Sequence, residues 1–326
     1  MTMHRPQRKI RDNLIMTKNI VFGPVASRRL GRSLGIDLLM EKICCQDCIY
    51  CEAGKTKIHT LERKSYVPFP DVTSQLNAVL GKGPGLDYVT FSGSGEPTLS
   101  TDIGRVIGFL KDNYPQYRVC VLTNGMLLGD PDVRRDTARA DLVIPSLDAS
   151  NAGEFEKINR PVPGSSFEKF TQDLAAFTRQ FRGEVWLEIF IIPGVNDSDS
   201  SIAGFSRLVR TMRLDRIQLN SLDRPGTDDV AVSTARNAQR FIDALSAVAP
   251  AEFISRFRGS DAPSETAESR LLALLADGPL PREDVGEKLR LSAYEAGLLV
   301  GRLQFSGDLH LTEKNGTVFV CPGGGK

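Results

Sequence analysis

Short apolar runs alternate with longer amphipathic segments between residue 34 and about residue 220. The runs are rich in Val, Ile and Leu, and the segments between them carry apolar residues at helical spacing. This alternation is typical of βα units around a parallel sheet. We predict six strands: Ser33–Met40, Tyr88–Ser92, Arg118–Thr123, Asp141–Leu147, Val185–Ile192 and Arg216–Asn220. We predict helices at Asp71–Leu80, Asp102–Asn113, Ser166–Gln180, Ser200–Met212 and Thr234–Val248.

Six units are fewer than the eight of a closed barrel. The pattern therefore predicts an α/β fold, a partial (β/α)6 barrel over residues 20–255 that follows a basic tail at residues 1–19. In barrels of this kind the chemistry lies at the C-terminal ends of the strands. Functional residues are therefore expected where the strands end.

A second domain is predicted after residue 255. Residues 256–263 collect Gly, Ser, Asp, Ala and Pro, as linkers do, and residues 264–326 read as three helices and a hairpin around Asn315-Gly316. This order favours a winged-helix-like domain. Its third helix, Ser292–Phe305, has one basic residue, Arg302, set against Glu295, so we expect no autonomous DNA binding. Recognition of a protein partner, positioning of the substrate and simple packing all remain open.

Composition narrows the protein class. The chain has 326 residues and a net charge of +1, which argues against an extended nucleic-acid surface. It contains neither a membrane-spanning apolar run nor an N-terminal secretory pattern, so we expect a cytoplasmic protein with no membrane partner. Four of the six cysteines lie between residues 44 and 51, which indicates a metal site in a reducing compartment.

The cysteines follow the first predicted strand. Cys44, Cys48 and Cys51 have the spacing C-x3-C-x2-C, and thiolates are the soft ligands that iron–sulfur clusters require. Three such ligands leave one iron open. Cys45 offers a second, ferredoxin-like register, but that pattern requires a cysteine at position 55, where Lys55 stands. A structural zinc site with His59 as the fourth ligand is the other alternative.

The cysteine loop resembles the cluster-binding loop of the radical S-adenosylmethionine superfamily, including an aromatic residue, Tyr50, before the last cysteine. The run Phe22–Asp37 resembles a subgroup of iron–sulfur oxidoreductases related to the wybutosine-synthesis enzymes of transfer RNA. The resemblance covers about residues 20–225. It implies a [4Fe–4S] cluster on Cys44, Cys48 and Cys51, with S-adenosylmethionine chelating the open iron. It also implies a flavodoxin or ferredoxin as reductant and a 5′-deoxyadenosyl radical that abstracts hydrogen from a substrate, such as transfer RNA or a protein.

The resemblance also assigns cofactor contacts. Ser94, Gly95, Glu96 and Pro97 resemble a Gly-Gly-Glu-Pro element that contacts the methionine amino group, with Ser94 replacing the first glycine. A tight turn is the alternative for this segment. Two small polar residues, Ser146 and Asp148, end the fourth strand where the family often binds ribose.

The sequence pattern alone, without the resemblance, indicates further candidate site residues. Glu188 interrupts an apolar strand, so it must face a polar site or form a buried salt bridge. Arg28, Arg29 and Arg32 suit a carboxylate or phosphate on the substrate, although a solvated surface explains them equally well. Two further polar segments, Thr123-Asn124-Gly125 and Asn220-Ser221, lie at the ends of the third and sixth predicted strands and would complete the rim of the site. The competing function is a non-catalytic, metal-stabilised regulator that binds nucleic acid or protein.

Overall fold

The computed structural model describes residues 19–222, 226–254, 267–276, 278–289, 291, 296–297, 299–300, 303–304, 308–314 and 317–323. The chain divides into two compact units, Met1–Arg258 and Gly259–Lys326. The division falls within residues 256–263, the predicted linker. That segment and the predicted basic tail, apart from residue 19, lie outside the described residues.

The described strands of the first unit form an eight-stranded sheet. In the order in which they lie in the sheet, the strands are β1 Val21–Ser27, β2 Gly31–Ile36, β5 Tyr88–Phe91, β6 Arg118–Thr123, β7 Leu142–Pro145, β8 Glu184–Phe190, β9 Arg216–Asn220 and β10 Ala251–Phe253. Within this sheet, β1 and β2 pair antiparallel, and each later pair of neighbours is parallel. A small separate pair consists of β3 Ile43–Cys44 and β4 Ile58–His59.

Helices connect the parallel strands. They are α1 Phe69–Leu80, α2 Ile103–Asn113, α3 Pro131–Thr137, α4 Ala152–Asn159, α5 Phe167–Gln180, α6 Asp199–Val209 and α7 Ala235–Leu245, with a short 3-10 turn at Pro97–Leu99. On β8, Val185, Leu187 and Ile189 belong to the main core, which also includes the apolar sides of these helices. The alternate residues Trp186, Glu188 and Phe190 lie on the opposite, inner face of the sheet.

The sheet curls around this inner face. Four strand spacings separate β2 from β8, about 19 Å in a flat sheet with strands about 4.8 Å apart. An arginine side chain cannot cross that gap. Yet Arg29, in the turn between β1 and β2, donates to Glu188 on β8 at 2.6 Å, and Leu30 belongs to the same apolar cluster as Tyr88 and Trp186.

The sequence-based strands agree closely with the structure, and β6 and β9 have the predicted bounds. The predicted first strand, Ser33–Met40, is too long at its end. Asp37 accepts hydrogen bonds from the backbone N–H groups of Leu39 and Met40, which turns the chain out of β2. The prediction missed the edge strands β1 and β10 and the short helices α3 and α4.

The elements that can be delimited in the described part of the second unit are α8 Ala267–Ala276, α9 Asp284–Leu289, β11 Leu280–Pro281, β12 Leu309–Lys314 and β13 Thr317–Pro322. The strands form an antiparallel sheet in the order β11-β13-β12. Its core includes Leu271, Leu275, Val285 and Val320. Most of the predicted third helix, and the Asn-Gly turn, lie outside the described residues. Within the described part of the chain, no helix has the length and apolar character needed to cross a membrane.

Candidate functional site

The cysteine loop leaves the end of β2 and packs against the C-terminal end of α4. Backbone N–H groups of Asp47 and Ile49 donate to Asn159 O and Ile158 O, each at 2.9 Å. In return, the backbone N–H of Val162 donates to Cys45 O at 3.0 Å. The loop is therefore held by main-chain bonds, and its four thiols lie at the C-terminal edge of the curled sheet.

Each candidate ligand sulfur has a nitrogen donor beside it. Asn124 Nδ2 lies 3.4 Å from Cys44 Sγ, and Asn159 Nδ2 lies 3.5 Å from Cys48 Sγ. Lys42 Nζ lies 3.0 Å from Cys51 Sγ. Donors aimed at sulfur favour the thiolate form, the form that binds iron. The chemistry of these three thiols therefore fits the cluster that the sequence predicts.

Cys45 is the most deeply buried of the four cysteines, and it shares the Asn124 donor with Cys44. Its thiol is completely buried, and Asn124 Nδ2 lies 3.2 Å from its sulfur. Burial raises the pKa of the Cys45 thiol well above its usual range. Burial likewise raises the pKa of Cys48. A hydrogen bond with Cys45 is the main cause that lowers the pKa of Cys44. Bound metal would deprotonate its ligand thiols regardless of these shifts.

A single-ion site has no support in the described residues. Among them, no three Cys, His, Asp or Glu side chains lie close enough together to hold one metal ion. His59, the fourth ligand of the zinc alternative, instead places Nε2 3.2 Å from the backbone oxygen of Cys45. Thiolates that bind separate irons of a cluster do not need to converge on one point.

The Gly93–Pro97 segment contacts the cysteine loop directly. The backbone N–H of Glu96 donates to Ile43 O at 3.0 Å, one residue before Cys44. A Cβ atom at Gly95 would lie 1.9 Å from Ile43 O, so only glycine allows this approach. Asp37 holds the start of the segment, because Oδ2 accepts from both the backbone N–H, at 2.9 Å, and the hydroxyl of Ser94.

Glu96 is buried and joins the ends of β5 and β6. Its Oε1 accepts from Thr98 N, Thr98 Oγ1 and Thr123 Oγ1, at 3.1, 2.5 and 2.6 Å. Its Oε2 accepts from Asn124 N at 2.7 Å. Burial raises the pKa of Glu96, and these hydrogen bonds oppose the shift. The carboxylate therefore shapes the segment that resembles the cofactor element.

Tyr50 and Asp148 are brought together. The ring of Tyr50 stacks on Phe190 with centroids 3.9 Å apart, and its hydroxyl donates to Asp148 Oδ2 at 2.5 Å. Asp148 also accepts from Asn159 Nδ2 at 3.0 Å and from Phe190 N at 2.9 Å. Burial raises the pKa of Asp148 to about 6, although these hydrogen bonds oppose the shift. Asp148 thus orients the aromatic residue that precedes Cys51.

Ser146 directly follows β7 and forms an isolated parallel bridge with Glu188 on β8. Glu188 accepts from Arg29 Nη1 at 2.6 Å and from Asn220 Nδ2 at 2.7 Å. Burial by itself raises the pKa of Glu188, but Arg29, Asn220 and Arg28 together outweigh burial and lower it. Glu188 therefore forms the buried salt bridge that the sequence offered as one of two alternatives, with Arg29 as its partner. Since Arg29 already has a carboxylate partner, it is not a free anion-binding residue. Arg28 and Arg32 are more exposed than Arg29.

Sequence reasoning missed four residues of this region: Asp37, Lys42, Asn159 and Asn196. Asn196 is buried and holds the ends of β7 and β8 together, donating to Asp148 O and Phe190 O at 2.8 Å each. Asp37 and Asn196 do carry a signal, since polar residues after apolar strands mark the C-terminal edge of a parallel sheet. Lys42 and Asn159 carry none, because nothing local distinguishes them from solvated residues.

The sequence and the fold are similar to those of known proteins. The family model of the Radical SAM superfamily matches residues 40–205, which include the cysteine loop and the Gly93–Pro97 segment. A UPF0026 protein of Methanocaldococcus jannaschii is 28% identical over 308 residues, covering 92% of this chain and 95% of that protein. GTPase Obg of Brachyspira hyodysenteriae is 39% identical over 211 residues, 65% of this chain. The chain spans only 31% of the length of that relative.

Among solved structures, a radical SAM methyltransferase from Sphaerobacter thermophilus has a TM-score of 0.56 and 19% identity. The match covers 70% of this chain and 67% of that chain, and it shows a shared fold. Members of the superfamily bind a [4Fe–4S] cluster and S-adenosylmethionine. The chain belongs to the radical SAM superfamily, and a [4Fe–4S] cluster and S-adenosylmethionine are its cofactors.

Proposed function

We propose that the protein binds its [4Fe–4S] cluster through Cys44, Cys48 and Cys51 and uses it to cleave S-adenosylmethionine reductively. The observation that supports this proposal is the contact between the cysteine loop and the Gly93–Pro97 segment at the C-terminal edge of the sheet, with a nitrogen donor beside each of the three sulfurs. A donor also lies beside Cys45, so the choice of ligands rests on the C-x3-C-x2-C spacing. When bound, the two cofactors supply a 5′-deoxyadenosyl radical for hydrogen abstraction. The curled sheet is proposed to be the partial (β/α)6 barrel of this superfamily.

The protein's own residues are proposed to orient the cofactors and keep the site dry. Ser94, Gly95 and Pro97 offer backbone groups to the methionine end, while Glu96 fixes the shape of that segment. Tyr50, stacked on Phe190, would form the wall of the site beside the adenosine of S-adenosylmethionine. Ser146 and Asp148 lie at the end of β7, where ribose hydroxyls would need partners. Glu188 lies deeper in the inner face and neutralises Arg29.

The proposal is tested by anaerobic reconstitution with iron and sulfide, followed by incubation with S-adenosylmethionine and dithionite. Production of 5′-deoxyadenosine by the loaded protein is expected. A protein that takes up zinc in place of iron, or that holds iron and sulfide yet never forms 5′-deoxyadenosine, would support the alternative, a metal-stabilised regulator that binds nucleic acid or protein.

The substrate proposed for the first test is transfer RNA, and its support is the resemblance of residues 22–37 to the wybutosine-related subgroup. A protein side chain is the second candidate, and a flavodoxin or ferredoxin is the proposed reductant. Deuterium-labelled cellular RNA, protein and metabolite fractions are incubated with the enzyme, and deuterium in 5′-deoxyadenosine identifies the fraction that contains the substrate. Label from protein or metabolites alone would contradict the RNA assignment.

The second unit is proposed to be winged-helix-like and to position a substrate or a protein partner. Its described residues include few cations, so few phosphate contacts are expected. Residues 260–326 expressed alone are expected not to bind mixed duplex DNA at low salt, where electrostatic attraction is strongest. Salt-sensitive binding with a micromolar or lower dissociation constant, measured by fluorescence anisotropy, would contradict this prediction.

Replacing Glu96 with alanine is expected to weaken S-adenosylmethionine binding while iron is retained. The substitution leaves the buried donors of Thr98, Thr123 and Asn124 without their acceptor, at a cost of roughly 2–4 kcal/mol in unfolding free energy. It also loosens the segment that contacts Ile43. Equilibrium dialysis and iron analysis measure the two effects. The matched control is Glu156→Ala at an exposed position of α4. Unchanged cofactor affinity in Glu96→Ala would contradict the prediction.

A further inference from the structure

Lys42 is a buried lysine at the entrance to the cysteine loop. It is 9% exposed and lies two residues before Cys44. Its backbone oxygen accepts from Lys57 N at 2.9 Å and Ile58 N at 3.3 Å, so its position is fixed by the strand pair β3–β4. Its ammonium donates to Cys51 Sγ at 3.0 Å. The side chain is therefore held against a sulfur that is proposed to bind iron.

A buried ammonium is costly unless an anion faces it. Within the described residues, Lys42 forms no salt bridge with a carboxylate, and the hydrogen-bond partner of its ammonium is the sulfur of Cys51. Neutral thiols would leave the ammonium uncompensated. Thiolates around a cluster would compensate it, so the burial of Lys42 is explained when the cysteines carry negative charge.

We propose that Lys42 sets the reduction potential of the cluster, holding it high enough for a cellular one-electron carrier to reduce. This inference rests on the proposed function. Reduction adds one electron, supplied by that carrier, to a group that its thiolate ligands already make negative. A fixed positive charge with a hydrogen bond to a ligand sulfur stabilises the reduced form more than the oxidised form. Lys42 is thus a positioning residue that acts through Cys51.

The test uses the full chain, reconstituted anaerobically, in four variants. Lys42→Met removes both the charge and the hydrogen bond, Lys42→Gln removes the charge but keeps a donor, and Lys42→Arg keeps both. Lys57→Met is the matched control, because Lys57 lies in the same loop with an exposed side chain. Iron and sulfide analysis measures cluster content, and a redox titration followed by electron paramagnetic resonance measures the potential.

In Lys42→Met, the ratio of reduced to oxidised cluster at a fixed ambient potential is expected to fall roughly tenfold or more, a shift of about 59 mV for a one-electron couple. Lys42→Gln is expected to shift less, in the same direction. Lys42→Arg and Lys57→Met are expected to stay close to the wild type. If Lys42→Met does not hold a cluster, the potentials of Lys42→Gln and Lys42→Arg are compared instead. A lower potential in Lys42→Gln than in Lys42→Arg is then expected, and equal potentials would overturn the inference.

A fully loaded Lys42→Met protein with the wild-type potential overturns this inference and leaves the proposed function standing. An equal shift in Lys57→Met also overturns it, because the effect would then be a general one of loop charge. A wild-type protein that binds no iron and sulfide overturns the proposed function and this inference together. Cluster content therefore separates the two failures.

Discussion

Alanine at Cys44, Cys48 or Cys51 is expected to abolish the cluster, whereas Cys45→Ala is expected to leave it largely intact. Only the first three positions form a three-ligand set that leaves one iron open. The Cys45 thiol is completely buried beside Asn124, which points to a role in packing. Iron, sulfide and visible absorbance, measured after anaerobic reconstitution, report the cluster content of each variant.

Cys120→Ala is the matched control for this series. Cys120 is buried on β6, outside the loop, so its loss is expected to leave the iron content unchanged. Normal cluster content in Cys44→Ala would overturn the ligand assignment. Loss of the cluster in Cys45→Ala, together with its retention in Cys44→Ala, would point instead to the ferredoxin-like register.

Glu188→Gln is expected to cost about 3–5 kcal/mol in unfolding free energy, because it leaves the Arg29 guanidinium buried without its counter-ion. Only 15% and 14% of the Arg29 and Glu188 side chains are exposed. Urea unfolding of the apoprotein is followed by fluorescence of Trp186, the single tryptophan of the chain, which lies on the same strand. The signal therefore reports the first unit.

The effect is expected to depend on pH. Against the effect of burial, Arg29, with Asn220 and Arg28, holds the pKa of Glu188 below its usual range, so ionised Glu188 stabilises the fold above its unfolded-state pKa of about 4.3. That stabilisation is lost as the pH falls through the lower, folded-state pKa. The difference in stability between the wild type and Glu188→Gln is therefore expected to shrink in acid.

Glu184→Gln is the matched control, because Glu184 lies on the same strand and pairs with Arg118 at the same 2.6 Å. Glu184 also accepts from Trp186 Nε1 at 3.0 Å, and glutamine retains a side-chain oxygen that can accept this bond. That pair is 46% and 42% exposed, so its loss is expected to cost only roughly 0–1 kcal/mol. Equal losses in Glu184→Gln and Glu188→Gln would show that burial does not distinguish the two pairs. In the double variant Arg29→Met/Glu188→Gln, the loss is expected to be smaller than the sum of the single losses.

Strands buried on both faces were predictable, and edge strands were not. β6 and β9 are continuous apolar or alternating runs whose pattern ends where the strand ends. β1 contains Gly23 and Pro24 and is half-exposed, features that argue against a strand in a sequence. It forms because β2 offers it a partner, which is a property of the sheet and not of residues 21–27 alone.

Local spacing determined the candidate chemistry of this protein. The three cysteines lie within eight residues on a loop after a buried strand, and Gly95-Glu96-Pro97 follows the next strand of the sheet. Ligand type and spacing are short-range properties, so the sequence by itself indicated an iron–sulfur site with a cofactor element beside it. It also determined which edge of the sheet carries that chemistry, since parallel strands all end on one side.

Only the tertiary structure decided which charges meet. Arg29 and Glu188 are 159 residues apart, and the sequence left Arg29 as a substrate-binding candidate and Glu188 as either a polar-site residue or a buried salt bridge. Asp37 meets Ser94 across 57 residues, and Asn124 and Asn159 meet the sulfurs of Cys44 and Cys48 across 80 and 111 residues. These contacts depend on the curl of the sheet and on where α4 ends. A buried charge takes whichever partner the folded chain brings within hydrogen-bonding distance, and no local pattern encodes that distance.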